Sequence, residues 1–295
     1  MLLALLESMR PRQWPKNIFV FPALFFDGKL IHFPSVIRTI VAFFLLCAMS
    51  SAVYLMNDLA DIDSDRKHPT KKNRPLPSGR LNPQIALIAS VLLALASLAG
   101  GYLIAPSLAV VLLIYLLIQI AYTFRLKHIV LLDVLAVASG FILRVAAGVT
   151  AIDVQRFSPW IYVCAGLLSL FMVLGRRRHE LILLGTSAGH HRAILKEYSV
   201  ELIDRLISIV TSSAIVAYCL YTFLSEGVPG NHAMMLTIPI VVYAIFRYLY
   251  LIHIRQEGGA PEEIVLRDRP LQLTVIIYGI VAFIALYILP SMGAG

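Results

Sequence analysis

Four carboxylates lie within eight residues at the end of a long apolar stretch, in the segment Asn57-Asp58-Leu59-Ala60-Asp61-Ile62-Asp63-Ser64-Asp65. On a helix, Asp58, Asp61 and Asp65 are separated by three and four residues and therefore share one face. Carboxylates held that close repel each other unless a cation lies among them. Hard oxygen ligands suit Mg²⁺, which binds through one or two carboxylates together with substrate phosphates. The spacing therefore predicts a metal site at Asp58, Asp61 and Asp65, with Asn57 beside it.

A densely basic loop follows the acidic segment, with six Lys and Arg side chains between residues 66 and 80. Its prolines exclude a long helix. Membrane orientation alone enriches such loops in Lys and Arg, and the carboxylates alone could be a solvated helix end. Beside metal-binding carboxylates, however, Lys71 and Arg74 form a predicted phosphate clamp.

Arg144 lies inside the apolar stretch 140–148. An arginine within hydrocarbon costs about 3 kcal/mol or more, so it usually faces a cavity or a partner. Gly140, Ala146, Ala147 and Gly148 would let a neighbouring helix approach closely. We expect Arg144 to serve structure or substrate in a polar cavity, the alternative being that it extends to the membrane surface.

The other candidate substrate-binding residues are charged or aromatic side chains near the ends of apolar stretches, and several of them have a simpler explanation. The Arg176-Arg177-Arg178 run could merely stop membrane transfer, and Glu180 could only pair with Arg176 four residues earlier. Arg267-Asp268-Arg269 could be a self-satisfied ion-pair network, and Tyr122 an interfacial anchor. The candidates are Arg10, Lys16, Tyr122, Lys127, Arg176, Arg177, Glu180 and Arg267.

The composition is that of a polytopic membrane protein. Hydrophobic residues make up 59% of the 295 residues and charged residues only 14%, whereas a soluble domain carries roughly a quarter charged residues. A spanning helix needs about 20 apolar residues. Nine segments qualify, and together they predict one all-α transmembrane domain over residues 1–295. The segments are 17–34, 36–58, 83–104, 107–124, 129–149, 158–175, 204–224, 232–253 and 271–290.

Lys and Arg concentrate on one set of connections between these segments. The positive-inside rule therefore places the N-terminus and the acidic segment in the cytoplasm. The long polar connections 59–82, 176–203 and 254–270 are on the same side, where we expect the chemistry. The net charge of +8 fits this orientation, and we expect no nucleic-acid partner.

At these residues the chain resembles the UbiA superfamily of intramembrane prenyltransferases. The resemblance rests on nine spans, on the Asn57, Asp58, Asp61 and Asp65 pattern and on the basic loop after it. It implies a helical bundle around a central cavity with cytoplasmic cap loops, in a bacterial inner membrane, with Mg²⁺ bridging the acidic motif and a diphosphate. Members that use prenyl diphosphates carry a second Asp-rich motif where this chain has Arg176 to Glu180.

Within the superfamily the chain is similar to the branch of decaprenyl-phosphate phosphoribosyltransferases, through segments 10–17, 52–58, 65–71, 126–128, 139–144 and 266–269. The resemblance implies Mg²⁺-dependent transfer of phosphoribosyl from phosphoribosyl diphosphate to polyprenyl phosphate, for a cell-envelope pentose donor such as that of arabinogalactan. Asp58, Asp61 and Lys71 would then be catalytic. Two alternatives stay open: prenyl transfer to an aromatic or lipid acceptor, and a transporter or lipid-binding membrane protein without enzymatic activity. A homo-oligomer is compatible with the sequence.

Overall fold

The structure is a computed structural model that describes residues 1–68, 70–152, 154, 158–184, 193–225, 227–228, 232–259 and 261–292. These residues form helices and connecting turns, and the predicted all-α fold class is confirmed. The α-helices are α1 (Leu2–Ser8), α2 (Pro22–Phe26), α3 (Phe33–Ala60), α4 (Ile62–Lys67), α5 (Pro83–Ile104), α6 (Pro106–Phe124), α7 (Leu132–Ala151), α8 (Pro159–Leu184), α9 (Val200–Leu224), α10 (Ile238–His253), α11 (Pro261–Arg267), α12 (Arg269–Phe283) and α13 (Leu289–Met292). A π-helical turn, Ile284–Ile288, joins the last two, and 3₁₀ helices occur at Pro11–Val20, Lys71–Asn73, Leu126–His128, Ala193–Glu197 and Ala233–Thr237.

Eight helical segments in the described ranges are long and apolar enough to cross a membrane. The chain is therefore a multi-pass membrane protein. The first predicted span, 17–34, is not a continuous helix, because the 3₁₀ helix ends at Val20 and α2 has only five residues. Pro22 cannot donate a backbone hydrogen bond, and Gly28 has a positive φ of 71° that ends the short helix.

The chain folds into two compact units, while the single domain predicted for residues 1–295 stays a prediction. The first unit comprises Met1–Phe25, Lys29–Lys127 and Leu143–Val154. In it α3 packs against α5, α6 and the Pro11–Val20 helix. Its core includes the buried side chains of Leu46, Met49, Leu108, Leu112 and Tyr115. A smaller cluster under the basic loop contains Ala4, Leu55, Leu76, Leu81 and Ala86.

The second half of α7 approaches the end of the Pro11–Val20 helix very closely within this unit. A Cβ atom added at Gly148 would lie 2.0 Å from the carbonyl oxygen of Val20. Only glycine leaves room for that oxygen. The prediction that small residues admit a close neighbour is therefore confirmed at Gly148, and the neighbour is the non-α segment.

The second unit comprises Phe26–Gly28, His128–Ile142 and Gln155–Gly295. In it α8 packs along α9, and α10 packs against α12. The buried core includes Phe171, Ile203, Ile207 and Tyr248, and the rings of Phe171 and Tyr248 meet edge to face with 5.0 Å between centroids.

Candidate functional site

The acidic segment lies where α3 ends and α4 begins, in the first unit. Asp61 is the residue between the two helices, with φ of −99° and ψ of 8°. The N–H of Asp61 still donates to the carbonyl oxygen of Asn57 over 3.0 Å, and the carbonyl oxygen of Asp61 accepts from the N–H of Asp65 over 2.8 Å. The expected continuous helix is therefore interrupted at Asp61, and a second helix, α4, begins at the next residue. Asp58 and Asp65 are both 2% exposed.

Two arginines and a lysine neutralise these two buried carboxylates. The Nη1 of Arg74 donates to Oδ1 of Asp58 at 3.3 Å and to Oδ2 of Asp65 at 2.8 Å. A second guanidinium, that of Arg10, donates to Oδ1 of Asp58. The Nζ of Lys71 lies 3.7 Å from Oδ1 of Asp65. The structure thus brings together five residues that the sequence singled out, as alternating anions and cations.

Asp61 has a different cation. The Nζ of Lys127 donates to both of its carboxylate oxygens, at 2.9 and 3.2 Å. Lys127 lies in the 3₁₀ helix that follows α6, and 66 residues separate it from Asp61. Each of the three predicted carboxylates therefore has at least one cationic partner.

The basic loop is held by its backbone and by two leucines. The N–H of Arg74 donates to the carbonyl oxygen of Lys71, and its own carbonyl accepts from Ser78, both over 3.0 Å. Leu76 and Leu81 are almost completely buried. The backbone of Arg74 is therefore anchored, while its side chain remains one-third exposed.

The oxygen atoms of the acidic segment have the chemistry that Mg²⁺ prefers. No three Asp, Glu, His or Cys side chains in the described ranges converge at metal-binding distance. Mg²⁺, however, needs only one or two carboxylates when phosphates complete its shell, and Asp58 and Asp65 come close enough to share one guanidinium nitrogen. Among the residues that the structure describes, the buried Oδ1 of Asn57 has no hydrogen-bond partner. These hard oxygen atoms fit the ion.

Arg144 is buried in a polar cluster in the same unit. Its Nε donates to Oδ1 of Asn17 at 2.7 Å, and its Nη2 donates to the hydroxyl of Tyr115 at 3.1 Å. The guanidinium carbon is 5.2 Å from the centroid of the Tyr115 ring. Asn17 in turn donates to Ser50 of α3 at 3.4 Å. Arg144 therefore ties the Pro11–Val20 helix to α6 and α7, which is the structural role that the sequence allowed.

Two further predicted residues of the first unit lie in helices. Lys16 is in the Pro11–Val20 helix, and Tyr122 lies in α6, two residues before its end. Both side chains are half-buried.

In the second unit, Arg177 is buried between two carboxylates. Its Nε donates to Oδ2 of Asp133 at 3.0 Å, and its Nη1 donates to Oε2 of Glu180 at 2.8 Å. The hydroxyl of Tyr198 donates to Oδ1 of Asp133 at 2.6 Å and accepts from the N–H of Leu131 at 2.8 Å. Burial, followed by the hydrogen bond to Asp133, raises the pKa of Tyr198 to about 12.

The neighbouring arginines of the run are also paired. Arg176 is exposed, and its Nε donates to Oε1 of Glu180 at 3.2 Å. Arg178 donates to Oδ1 of Asp204 at 2.7 Å and to the carbonyl of Ile252 at 3.0 Å. The run therefore joins α8 to α9 and α10 within this unit. The predicted pairing of Glu180 with Arg176 is confirmed.

Arg267 is the exposed last residue of α11. The next residue, Asp268, caps α12 by accepting from the N–H of Leu271 at 2.9 Å, and it pairs through both oxygens with Arg247 at 3.2 and 2.8 Å. The hydrogen bonds from Arg247 are the main reason that the pKa of Asp268 is lowered. This pairing accounts for Asp268 as a structural residue.

The sequence reasoning missed Asp133, Tyr198, Asn17 and Tyr115. Asp133 carried a usable signal, because it is the one carboxylate in the predicted apolar span 129–149, in the first turn of α7, and such residues usually have a charged partner. The other three are neutral polar residues of ordinary types, and their spacing gave no indication of the contacts that they make.

Comparison with known proteins supplies three findings. A profile of the UbiA prenyltransferase family matches residues 18–263. A relative from Mycobacterium tuberculosis is 34% identical over 92% of this chain and 90% of its own length, and one from Corynebacterium glutamicum is 31% identical over 97% and 87%. Both relatives are named decaprenyl-phosphate phosphoribosyltransferase. A UbiA homologue from Archaeoglobus fulgidus, bound to DMAPP and Mg²⁺, has a similar fold, with a TM-score of 0.72 at 17% identity over 97% of this chain and 99% of that one.

Proposed function

The chain belongs to the UbiA prenyltransferase family, and we propose that it transfers the 5-phosphoribosyl group of phosphoribosyl diphosphate to a polyprenyl phosphate, such as decaprenyl phosphate. The observation that carries the proposal is the alternation of buried carboxylates and cations where α3 ends. A site for a metal and several phosphate oxygens needs both kinds of side chain. The names of the relatives support the same reaction.

Asp58 and Asp65 would hold Mg²⁺, with Oδ1 of Asn57 nearby and Asp61 as the third ligand predicted from sequence. When bound, the ion supplies positive charge that stabilises the diphosphate as a leaving group. The carboxylates are already buried and close together, so they themselves need little movement when the ion binds, although Arg74 must give up its contacts with them.

The four cations around the carboxylates would bind the phosphate oxygens. Arg74, Lys71, Arg10 and Lys127 all lie within ion-pair distance of the acidic segment. As the bond between C1 of the ribose and the diphosphate breaks, its electron pair leaves with the diphosphate. Positive side chains held nearby stabilise that developing charge, and Lys71 is the one that we assign to catalysis with Asp58 and Asp61.

The acceptor is proposed to be the phosphate of the polyprenyl lipid. One of its oxygens forms the new bond to C1, giving polyprenylphosphoryl-5-phosphoribose. Because the lipid phosphate is already ionised at neutral pH, the reaction needs no strong general base. Lys16 is a proposed contact for this phosphate, and Arg10, which lies against Asp58, is proposed to contact both this phosphate and the diphosphate. Arg144, also predicted as a contact, would act through the segment that carries them, since it is 6% exposed and bonded to Asn17.

Tyr122, Arg176, Arg177, Glu180 and Arg267 remain proposed substrate contacts. We also propose that the acidic segment faces the cytoplasm of a bacterial cell, because the positive-inside rule places Lys- and Arg-rich connections such as the loop after it there. The product would supply a pentose donor for the cell envelope.

The test incubates purified protein and Mg²⁺ with each of two substrate pairs in separate reactions. One is labelled phosphoribosyl diphosphate with decaprenyl phosphate, and the other is labelled prenyl diphosphate with 4-hydroxybenzoate. We expect label in the lipid fraction only with the first pair. Asp58→Asn should lower that transfer by at least about 100-fold. The matched control is Asp63→Asn, in the same segment but 86% exposed and paired with Arg66, which should keep wild-type activity.

Transfer with the second pair alone would refute the proposal in favour of prenyl transfer. No transfer with either pair would favour a role without catalysis. Full activity in folded Asp58→Asn would refute the metal assignment, but it would not refute the proposed substrates.

A further inference from the structure

We propose that Arg74 makes metal binding at the acidic segment depend on a diphosphate ligand. In the free protein its guanidinium acts as the internal cation of Asp58 and Asp65, and a diphosphate draws it away so that a divalent ion can enter. The inference rests on the proposed function only in taking a diphosphate as the ligand, which both candidate transfer reactions release.

The geometry singles out Arg74 among the nearby cations. One nitrogen, Nη1, contacts both buried carboxylates, at 3.3 Å from Asp58 and 2.8 Å from Asp65. A position shared by oxygens of two carboxylates is the kind of place that a bridging cation takes. Of these two carboxylates, Arg10 contacts only Asp58, and Lys71 reaches only Asp65, at 3.7 Å. Lys127 pairs with Asp61 instead.

A divalent ion that arrives alone must compete with this guanidinium for the same oxygens. If Arg74 stays nearby, two cations repel each other, and if it leaves, it loses two charge-assisted hydrogen bonds without gaining a partner. A diphosphate removes this penalty, because it offers oxygens to the displaced guanidinium and to the metal together. Metal and diphosphate should therefore each raise the affinity for the other by the same factor.

The exchange needs movement of a side chain only. The backbone of Arg74 is held by two hydrogen bonds of 3.0 Å, from its N–H to Lys71 and from Ser78 to its carbonyl. Leu76 and Leu81 fix the same loop in the core. The side chain is 33% exposed, so it can turn towards a ligand that enters from solvent while the loop stays in place.

The experiment measures Mn²⁺ binding by electron paramagnetic resonance on the purified protein, first without phosphates and then at a fixed concentration of inorganic diphosphate. We expect Arg74→Gln to bind Mn²⁺ without phosphates at least about tenfold more tightly than wild type, because it removes the competing cation but keeps the carboxylates. Diphosphate should tighten Mn²⁺ binding in the wild type and do so less in Arg74→Gln. Comparing variants at one diphosphate concentration cancels the binding of Mn²⁺ to diphosphate in solution.

Two control variants make the result specific. Arg66→Gln removes the same charge nearby, from an exposed pair with Asp63 at 3.2 Å, and should bind Mn²⁺ like wild type. Asp58→Asn should lose the signal, which assigns it to this site. Thermal unfolding gives an independent readout. Without metal, Arg74→Gln should have a lower melting temperature than wild type, and Mn²⁺ should raise its melting temperature by more than it raises that of wild type.

Equal or weaker Mn²⁺ binding by Arg74→Gln, or a signal that persists in Asp58→Asn, would overturn the inference. If Arg74→Gln does not fold, Arg74→Lys takes its place. It keeps the charge but cannot present the guanidinium fork, and we expect an intermediate affinity, whereas a wild-type affinity would count against the inference. Inorganic diphosphate is the probe throughout, so a failure of phosphoribosyl diphosphate as donor would leave this result interpretable.

Discussion

Replacing Arg144 by methionine should destabilise the protein by about 2–4 kcal/mol. Hydrogen bonds to a charged group contribute about 1.5–3 kcal/mol each, and the bonds to Asn17 and Tyr115 are both lost. Removing a buried cation also removes the cost of taking its charge out of water, which offsets part of that loss. Methionine fills much of the volume, so the cavity contribution is small.

The loss should depend on Asn17, which the double-mutant cycle with Asn17→Ala measures. The assay is the free energy of unfolding in mixed micelles during titration with a denaturing detergent, for the two single variants and the double variant. We expect a coupling energy of about 1–3 kcal/mol, typical of residues in one network. Because the cycle subtracts the contacts of Asn17 with Ser50, it isolates the contact with Arg144.

The control is Arg38→Met, which removes an exposed arginine of α3 and should change the stability by less than about 0.5 kcal/mol. If Arg144→Met and Asn17→Ala were additive within about 0.5 kcal/mol, the contact would not stabilise the fold. The role of Arg144 in holding the Pro11–Val20 helix would then be refuted, and its direct contact with a substrate would become the better explanation.

Two further changes test other parts of the fold. Gly148→Ala should destabilise the protein by about 1–3 kcal/mol or more, because the new Cβ would lie 2.0 Å from the carbonyl oxygen of Val20. The control Gly279→Ala, whose Cβ would have no atom within 4 Å, should be neutral or stabilising. Equal melting temperatures for the two variants would contradict the close packing at Gly148. Tyr198→Phe should lower the melting temperature, since it leaves a buried oxygen of Asp133 without its donor. The pKa of Tyr198 is raised from 10 to about 12 in the fold, so its stabilising contribution is complete below pH 10 and is lost as the pH rises towards 12. The difference between wild type and Tyr198→Phe should therefore be constant from pH 7 to 9 and narrow above pH 10, and a pH-independent difference would refute the assignment.

The acidic motif and its cations could be recognised from sequence because both follow from residue type and short spacing. Asp58 and Asp65 are seven residues apart, which is about two helical turns, and the loop with Arg74 comes directly after them. The pairing itself could not be predicted in the same way. Arg10 is 48 residues from Asp58, and Lys127 is 66 residues from Asp61, so these contacts depend on tertiary structure.

The predicted spans match the observed helices where a proline falls in the first turn of a helix, as Pro83, Pro159 and Pro239 do, or where the run has no proline. The exception is 17–34, whose hydrophobicity suggested a span. Hydropathy measures the transfer of side chains and does not register that Pro22 lacks a backbone donor. The polar contacts of Asn17 add a reason for the irregular backbone, because they hold the segment against α3 and α7.

Arg10 and Arg74 have two roles that compete with each other: they neutralise Asp58, and they are proposed to bind the ligand. Asp58 is almost fully buried, and a buried carboxylate is costly unless a cation neutralises it, so Arg10 and Arg74 stabilise the protein before any ligand arrives. The same charges are the ones that a diphosphate would need, and an arginine cannot give its full charge to both. On the proposed function, a ligand that draws an arginine away from Asp58 must therefore bring a replacement cation, and a metal–diphosphate complex would do so. The activity of an Arg10 or Arg74 variant consequently reports on catalysis only when the fraction of folded protein has been measured and the rate is given per folded molecule.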